Sequence, residues 1–214
     1  MNKKFIKDIK KKYREKKGEI EKRIKYFKNN LKKEENIFYE LMFCLLTPQS
    51  KAKLCWQCVE NLIKKQKIKS GTEKQILCEL RNVRFKYTKA KNIMMARKMF
   101  LKDKKIQIKE FLKKFNSVFD LREWLVKYIK GYGYKEASHF LRNIGFVEEI
   151  AILDRHILKN LKKAGVIKNI PRTLTKKRYL EIENKMKNFA KKIKVPIYAL
   201  DLIFWSNETG EIFK

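Results

Sequence analysis

Apolar residues recur at three- and four-residue spacing along almost the whole 214-residue chain, and alternating strand patterns are hard to find, which predicts an all-α protein. Phe5, Ile6, Ile9, Tyr13, Ile20 and Ile24 mark N-terminal helices whose lysines form a solvated face. Asn36 to Leu46 is apolar enough to be buried and stops at Thr47-Pro48. A helix through Leu62 follows, with Thr47 or Ser50 available as its N-cap. Further helices are expected over about Glu73–Asn82, Thr88–Leu101, Ile106–Phe115 and Val118–Ile129, then from Lys135 to Ile144, ending at Gly145. Asp154 precedes a helix that stops at Ala164-Gly165. Leu174 to Ile193 reads as another, started by Thr173 or Thr175, and Pro196 opens the last. The tail from Asn207 to Lys214 is short, and its Ile212-Phe213 pair suggests that it docks.

One break in this pattern carries chemistry. Gly131-Tyr132-Gly133 separates two helices by a turn tight enough for backbone N–H groups to meet a phosphate. By itself such a turn could simply join two helices. Lys135 stands just past it, where the positive end of the helix dipole disfavours a second positive charge and so favours the neutral, nucleophilic amine. Asp154, nineteen residues further on, is an N-cap by position, and a capped carboxylate stays ionised. Such a carboxylate can stabilise the cationic transition state of glycosidic bond cleavage.

Composition adds a partner. Apolar residues make up 44% of the chain, enough for a core despite 36% charged residues. A net charge of +32 calls for a polyanion, and binding to nucleic acid should weaken steeply with salt. No apolar run is long enough to span a membrane, and Met1 to Lys33 lacks the apolar stretch of a secretory signal. The expected location is therefore cytoplasmic, on the nucleoid. Cys44, Cys55, Cys58 and Cys78 include one C-x-x-C pair with no second ligand pair, and the two histidines, His139 and His156, lie far from it in sequence. Buried free thiols account for these better than a zinc or redox site.

The segment from Gly131 to Ala137, taken with Ile152-Leu153-Asp154-Arg155-His156, resembles the helix-hairpin-helix DNA glycosylases of base-excision repair. Their pattern is a G-h-G-x-K hairpin followed by a catalytic aspartate before a helix. Leu45-Leu46-Thr47-Pro48-Gln49-Ser50 is similar to a helix opening of that superfamily, and Tyr87-Thr88-Lys89-Ala90-Lys91-Asn92-Ile93 to another of its segments. No cysteine follows position 78, so the iron–sulfur cluster of the endonuclease III-type members is not expected, nor any other cofactor. The chain is also too short for the N-terminal β-domain of the eukaryotic-type enzyme. A small, clusterless chain with Lys135 and the ending Leu200-Asp201-Leu202, Trp205, Thr209-Gly210-Glu211 and Lys214 looks like the archaeal-type 8-oxoguanine DNA glycosylase/AP lyase, the second Ogg family.

The resemblance implies a fold of two helical subdomains with the active-site cleft between them. Their boundaries are expected at residues 47–146 for one, and 1–46 together with 147–214 for the other. It also implies double-stranded DNA with a damaged base as partner, and a monomer. Gly131 and Gly133 would grip a phosphate, Lys135 would attack C1′ and Asp154 would steady the developing charge. Gln49 would fill the gap left by the flipped base, with Phe85 as an apolar partner or simply a buried aromatic. Trp205 would stack on the base or belong to helix core, the carboxylate of Lys214 would meet the purine edge, and His139 is expected to pack. Two alternatives stay open: the same chemistry on another oxidised base, and a non-catalytic DNA-binding module. Whether the hairpin holds a monovalent cation is open too.

Overall fold

The three- and four-residue spacing is realised as twelve helices in the computed structural model, which describes residues 1–214. They are α1 (Lys3–Asn30), α2 (Glu34–Leu46), α3 (Ala52–Lys64), α4 (Lys67–Ser70), α5 (Glu73–Glu79) and α6 (Lys86–Phe100). After two short strands, β1 (Leu101–Lys102) and β2 (Lys105–Ile106), come α7 (Lys109–Leu112), α8 (Val118–Tyr128), α9 (Tyr134–Asn143), α10 (Arg155–Ala164), α11 (Lys176–Ile193) and α12 (Ile197–Thr209). No helix is long and apolar enough to cross a membrane.

The chain divides into two units, Met1–Lys28 with Gly145–Lys214, and Asn29–Ile144. This moves the boundary expected at residue 46 back to residue 28, because α2 is the centre of the second unit. Its Ile37, Phe38, Leu41, Met42, Phe43 and Leu46 are buried all round the helix, which packs on α3, α6 and α9. The buried Glu40 carboxylate accepts from the Asn143 amide at 2.8 Å and from the Asn30 amide at 3.3 Å. Paired in this way a buried acid is tolerated; leaving a charge there without donors would cost several kcal/mol (order of magnitude).

In the first unit, α1 buries Ile9, Ile20, Ile24 and Phe27 along one stripe and exposes its lysines. It is one helix where the sequence suggested several: Gly18 lies on the solvent side, and an exposed glycine costs a helix only about 1 kcal/mol. The stripe outweighs it. Thr175 caps α11 by accepting the Arg178 N–H at 3.4 Å.

Three other local expectations are corrected. The helix expected from Ile106 is a strand at its start, because Asp103 and Lys104 both adopt left-handed φ (49° and 62°) and close a two-residue hairpin between β1 and β2. Neither Thr47 nor Ser50 caps α3, whose N-cap position is Lys51. α12 continues through Asn207, Glu208 and Thr209 before Gly210 ends it at φ +85°. The remaining tail docks: Ile212 is buried, its carbonyl accepts from Arg23 at 3.5 Å, and the Phe213 ring stacks on Trp205 at 6.0 Å.

Candidate active site

The hairpin between α8 and α9 is built on one turn. The Tyr132 N–H donates to the Ile129 carbonyl at 3.0 Å, and Gly131 at the third position has φ +95°. That conformation demands glycine, and a β-carbon there would also have to displace the side-chain amide of Asn92. Tyr132 points inward, and its hydroxyl donates to the Leu41 carbonyl of α2 at 2.9 Å. Burial raises its pKa well above the ordinary tyrosine value, which keeps the phenol a donor. Tyr134 donates to Glu123 at 2.5 Å and Arg122 donates to Ser138 at 3.2 Å, tying α8 to α9.

Lys135 is the second residue of α9, with a quarter of its side chain exposed. Its Nζ lies 3.1 Å from Glu136 Oε1 and 3.4 Å from Thr47 Oγ1. The other Glu136 oxygen accepts the Gly133 N–H at 3.2 Å, while Gly131 is exposed. Glu136 therefore bridges the two features the sequence singled out, the hairpin amide and the lysine. Sequence reasoning passed over it, although Glu at the third helical position is a recognisable capping signal.

Gln49 and Phe85 each sit at the tip of a turn in this same unit. Both have left-handed φ (53° and 57°), Gln49 is exposed, and Phe85 is 56% exposed. Phe85 is thus not a buried aromatic; the turn turns it outward beside Arg84, whose guanidinium lies 5.5 Å from its ring centre. Behind the turns, the buried Lys89 donates to the carbonyls of Leu46 and Pro48, each at 2.7 Å, and to Ser50 Oγ at 3.0 Å. Burial pushes its pKa down, to about 8. The Leu46 carbonyl also accepts from the Cys55 thiol at 3.1 Å, and burial pushes that thiol up to about 12, so it stays protonated. His139 is buried with its ring edge-on to Phe43 at 5.4 Å, which is packing.

Asp154 belongs to the other unit. Its Oδ1 accepts the Ile157 N–H at 2.8 Å, so it caps α10. The strand of chain before it is strapped to α11. Glu183 accepts the Ala151 N–H at 2.8 Å, while the Tyr179 hydroxyl donates to the Ala151 carbonyl at 2.7 Å and accepts the Leu153 N–H at 3.2 Å. Neither Tyr179 nor Glu183 could be found by spacing, since they lie well over twenty residues downstream. Trp205 is half-buried under the Phe213 ring, and the buried Lys214 sets its Nζ 5.2 Å from the Tyr26 ring centre and 3.3 Å from the Tyr26 hydroxyl. No group of three or more His, Cys, Asp or Glu side chains converges to hold a metal ion.

Comparison with known proteins decides which glycosylase branch this geometry belongs to. Residues 20–195 match the family model described as 8-oxoguanine DNA glycosylase. The chain belongs to that family. Within this glycosylase family it is 47% identical over 212 residues to the 8-oxoguanine DNA glycosylase/AP lyase of Fusobacterium nucleatum, covering 98% of both chains. It is 38% identical to the Methanocaldococcus jannaschii relative of the same description, covering 91% of both. The crystal structure of the M. jannaschii glycosylase/lyase with a 15mer DNA containing 8-oxoguanine superposes with a TM-score of 0.88 at 36% identity, over 98% of this chain and 99% of that one. The Thermotoga maritima 8-oxoguanine DNA glycosylase gives 0.87 at 32%, over 99% of both chains.

Within the family's hairpin the glycine requirement can be measured. Gly131→Ala forces φ +95° on an alanine and displaces Asn92, and should lower unfolding stability by about 1–3 kcal/mol. Denaturant titration of wild type and variant checks this, and equal midpoints would show that the turn has another conformation.

Proposed function

We propose that this glycosylase removes 8-oxoguanine from duplex DNA and then cleaves the strand at the abasic site, with Lys135 as its nucleophile. The observation that carries the assignment is the place of Lys135: three-quarters covered, one residue into the helix behind the Gly131–Gly133 turn, with its amine held by Thr47 and Glu136. Among 55 lysines and arginines, it is the one that both the hairpin and the family pattern single out.

A phosphate of the backbone docks on the hairpin amides, exchanging with the Glu136 carboxylate at the Gly133 N–H, so one anion replaces another. The lysine-rich surface supplies the non-specific part of the affinity. Gln49 and Phe85 enter the stack, and the damaged base leaves it for a pocket bordered by Trp205 and Lys214. Lys135, as the free amine, attacks C1′, with Glu136 at 3.1 Å as an acceptor for the proton it sheds. The glycosidic bond breaks, the base leaving with the bonding pair, and Asp154, held in place by the cap it makes on α10, stabilises the positive charge on the sugar. The aminal so formed opens, C1′–O4′ breaking as O4′ takes a proton, and the resulting Schiff base acidifies C2′, so that loss of a C2′ proton expels the 3′ phosphate and cuts the strand. This chemistry uses side chains alone, with no iron–sulfur cluster or other cofactor, and a monomer suffices for it.

Borohydride reduction on a duplex containing 8-oxoguanine tests the nucleophile. Wild type should form a covalent protein–DNA adduct, and Lys135→Gln should form none while still binding the duplex. Undiminished adduct in that variant would contradict the assignment, and adduct with thymine glycol but not 8-oxoguanine would move the substrate to oxidised pyrimidines. For Asp154 the informative change is to asparagine, which caps a helix about as well as aspartate. Asp154→Asn should therefore keep stability within about 1 kcal/mol yet lower single-turnover excision by about a hundredfold or more. Excision at the wild-type rate would remove Asp154 from the chemistry.

A further inference from the structure

We propose that Lys89 is a positioning residue that joins the Gln49 turn to the Phe85 turn, so that the two side chains enter the duplex as one rigid wedge. This rests on the reading of Gln49 and Phe85 given above.

The geometry is that of a clamp. An ammonium has three N–H donors, and Lys89 directs them to the Leu46 carbonyl, the Pro48 carbonyl and Ser50 Oγ at 2.7, 2.7 and 3.0 Å. Two of these acceptors, on Pro48 and Ser50, flank Gln49 on either side. The same Ser50 oxygen accepts the Arg84 backbone N–H at 3.2 Å, which links the ammonium to the Phe85 turn, and the backbone N–H of Lys89 donates to the Phe85 carbonyl at 3.0 Å as the first turn of α6. One side chain and one hydroxyl therefore hold both turns from behind, each next to its exposed tip residue.

Such a hold is needed. Gln49 and Phe85 both occupy the left-handed region, which costs a non-glycine residue about 1 kcal/mol or more, so neither turn keeps its shape unaided. A core that only had to be filled would be served as well by an apolar side chain, because burying an ammonium is costly. Here the acceptors are backbone carbonyls and a hydroxyl rather than a carboxylate, so the charge is spent on fixing main-chain positions. A wedge fixed before binding loses less freedom when it replaces a base in the stack. Thr47, beside Lys135, lies between the Leu46 and Pro48 acceptors but has a side-chain tether of its own: its hydroxyl donates to the Cys44 carbonyl at 3.1 Å. Loosening the Lys89 clamp should thus act on base extrusion more than on the nucleophile.

The test compares two DNAs with the full-length chain, using Lys89→Met and Ser50→Ala. One is a duplex with 8-oxoguanine, which must be opened. The other is a single-stranded oligonucleotide with an abasic site, where no stack has to be filled. The clamp predicts that the ratio of duplex excision to single-strand trapping falls about tenfold in Lys89→Met and severalfold in Ser50→Ala, as expected for the loss of a charged hydrogen bond. A 2-aminopurine placed opposite the lesion should show correspondingly less unstacking. A wild-type ratio in Ser50→Ala overturns the proposal, and that variant decides alone if Lys89→Met does not fold. So does a proportional loss on both DNAs, which is the mark of a merely structural lysine. Failure of the wild-type chain to act on either DNA would instead overturn the functional reading itself.

Discussion

The placing of Lys135 depends first on the turn from Ile129 to Tyr132, from which α9 sets out. The turn is closed by one backbone hydrogen bond, depends on a glycine at φ +95°, and is anchored by a buried phenol that reaches the Leu41 carbonyl. Those constraints act on the main chain, so they set the direction of α9 and with it the lysine on its first turn. Helix α2 receives the anchor, supplies the carbonyl of Leu46 to Lys89, and fixes the far end of α9 through Glu40 and Asn143. The most apolar helix of its unit is thus also the frame of the candidate site.

The other unit solves its problem by similar means. Asp154 is held by the cap it makes and by the straps from Tyr179 and Glu183 to the chain just before it. In both units the side chain proposed to react is short of freedom because neighbouring backbone groups are satisfied by buried partners, and pre-set geometry of this sort is what acyl, phosphoryl and glycosyl chemistry alike exploit. The surface contributes differently. Its excess of 32 positive charges attracts DNA of any sequence, and on the proposed reading selection of a damaged base is left to a few side chains such as Gln49, Phe85 and Trp205.

Much of this was legible in the chain because it is written in local spacing. Helical periodicity, the glycine hairpin, Lys135 and the Asp154 cap are all short-range signals. The parts that were not legible depend on long-range partners. Lys89 stands in a segment similar to one of the superfamily's, but nothing in that segment announces its partner, a turn about forty residues earlier, and Tyr179 and Glu183 lie 28 and 32 residues from the Ala151 groups they bind. Phe85 reads equally as core or as wedge, since exposure was decided by a left-handed φ that no pattern announces. The unit boundary was misplaced because α2, though it follows α1 closely, finds its packing partners in α3, α6 and α9. The strand pair at Leu101–Ile106 was missed because two left-handed residues, neither of them glycine, make its turn.

The central claim, that a single hairpin lysine carries the covalent step, is tested most directly by mapping the adduct. After borohydride trapping on 8-oxoguanine duplex, protease digestion and mass spectrometry should find the deoxyribose remnant on the peptide containing Lys135 and at that residue. A remnant on the N-terminal amine, on Lys89 or on any other lysine would contradict the account.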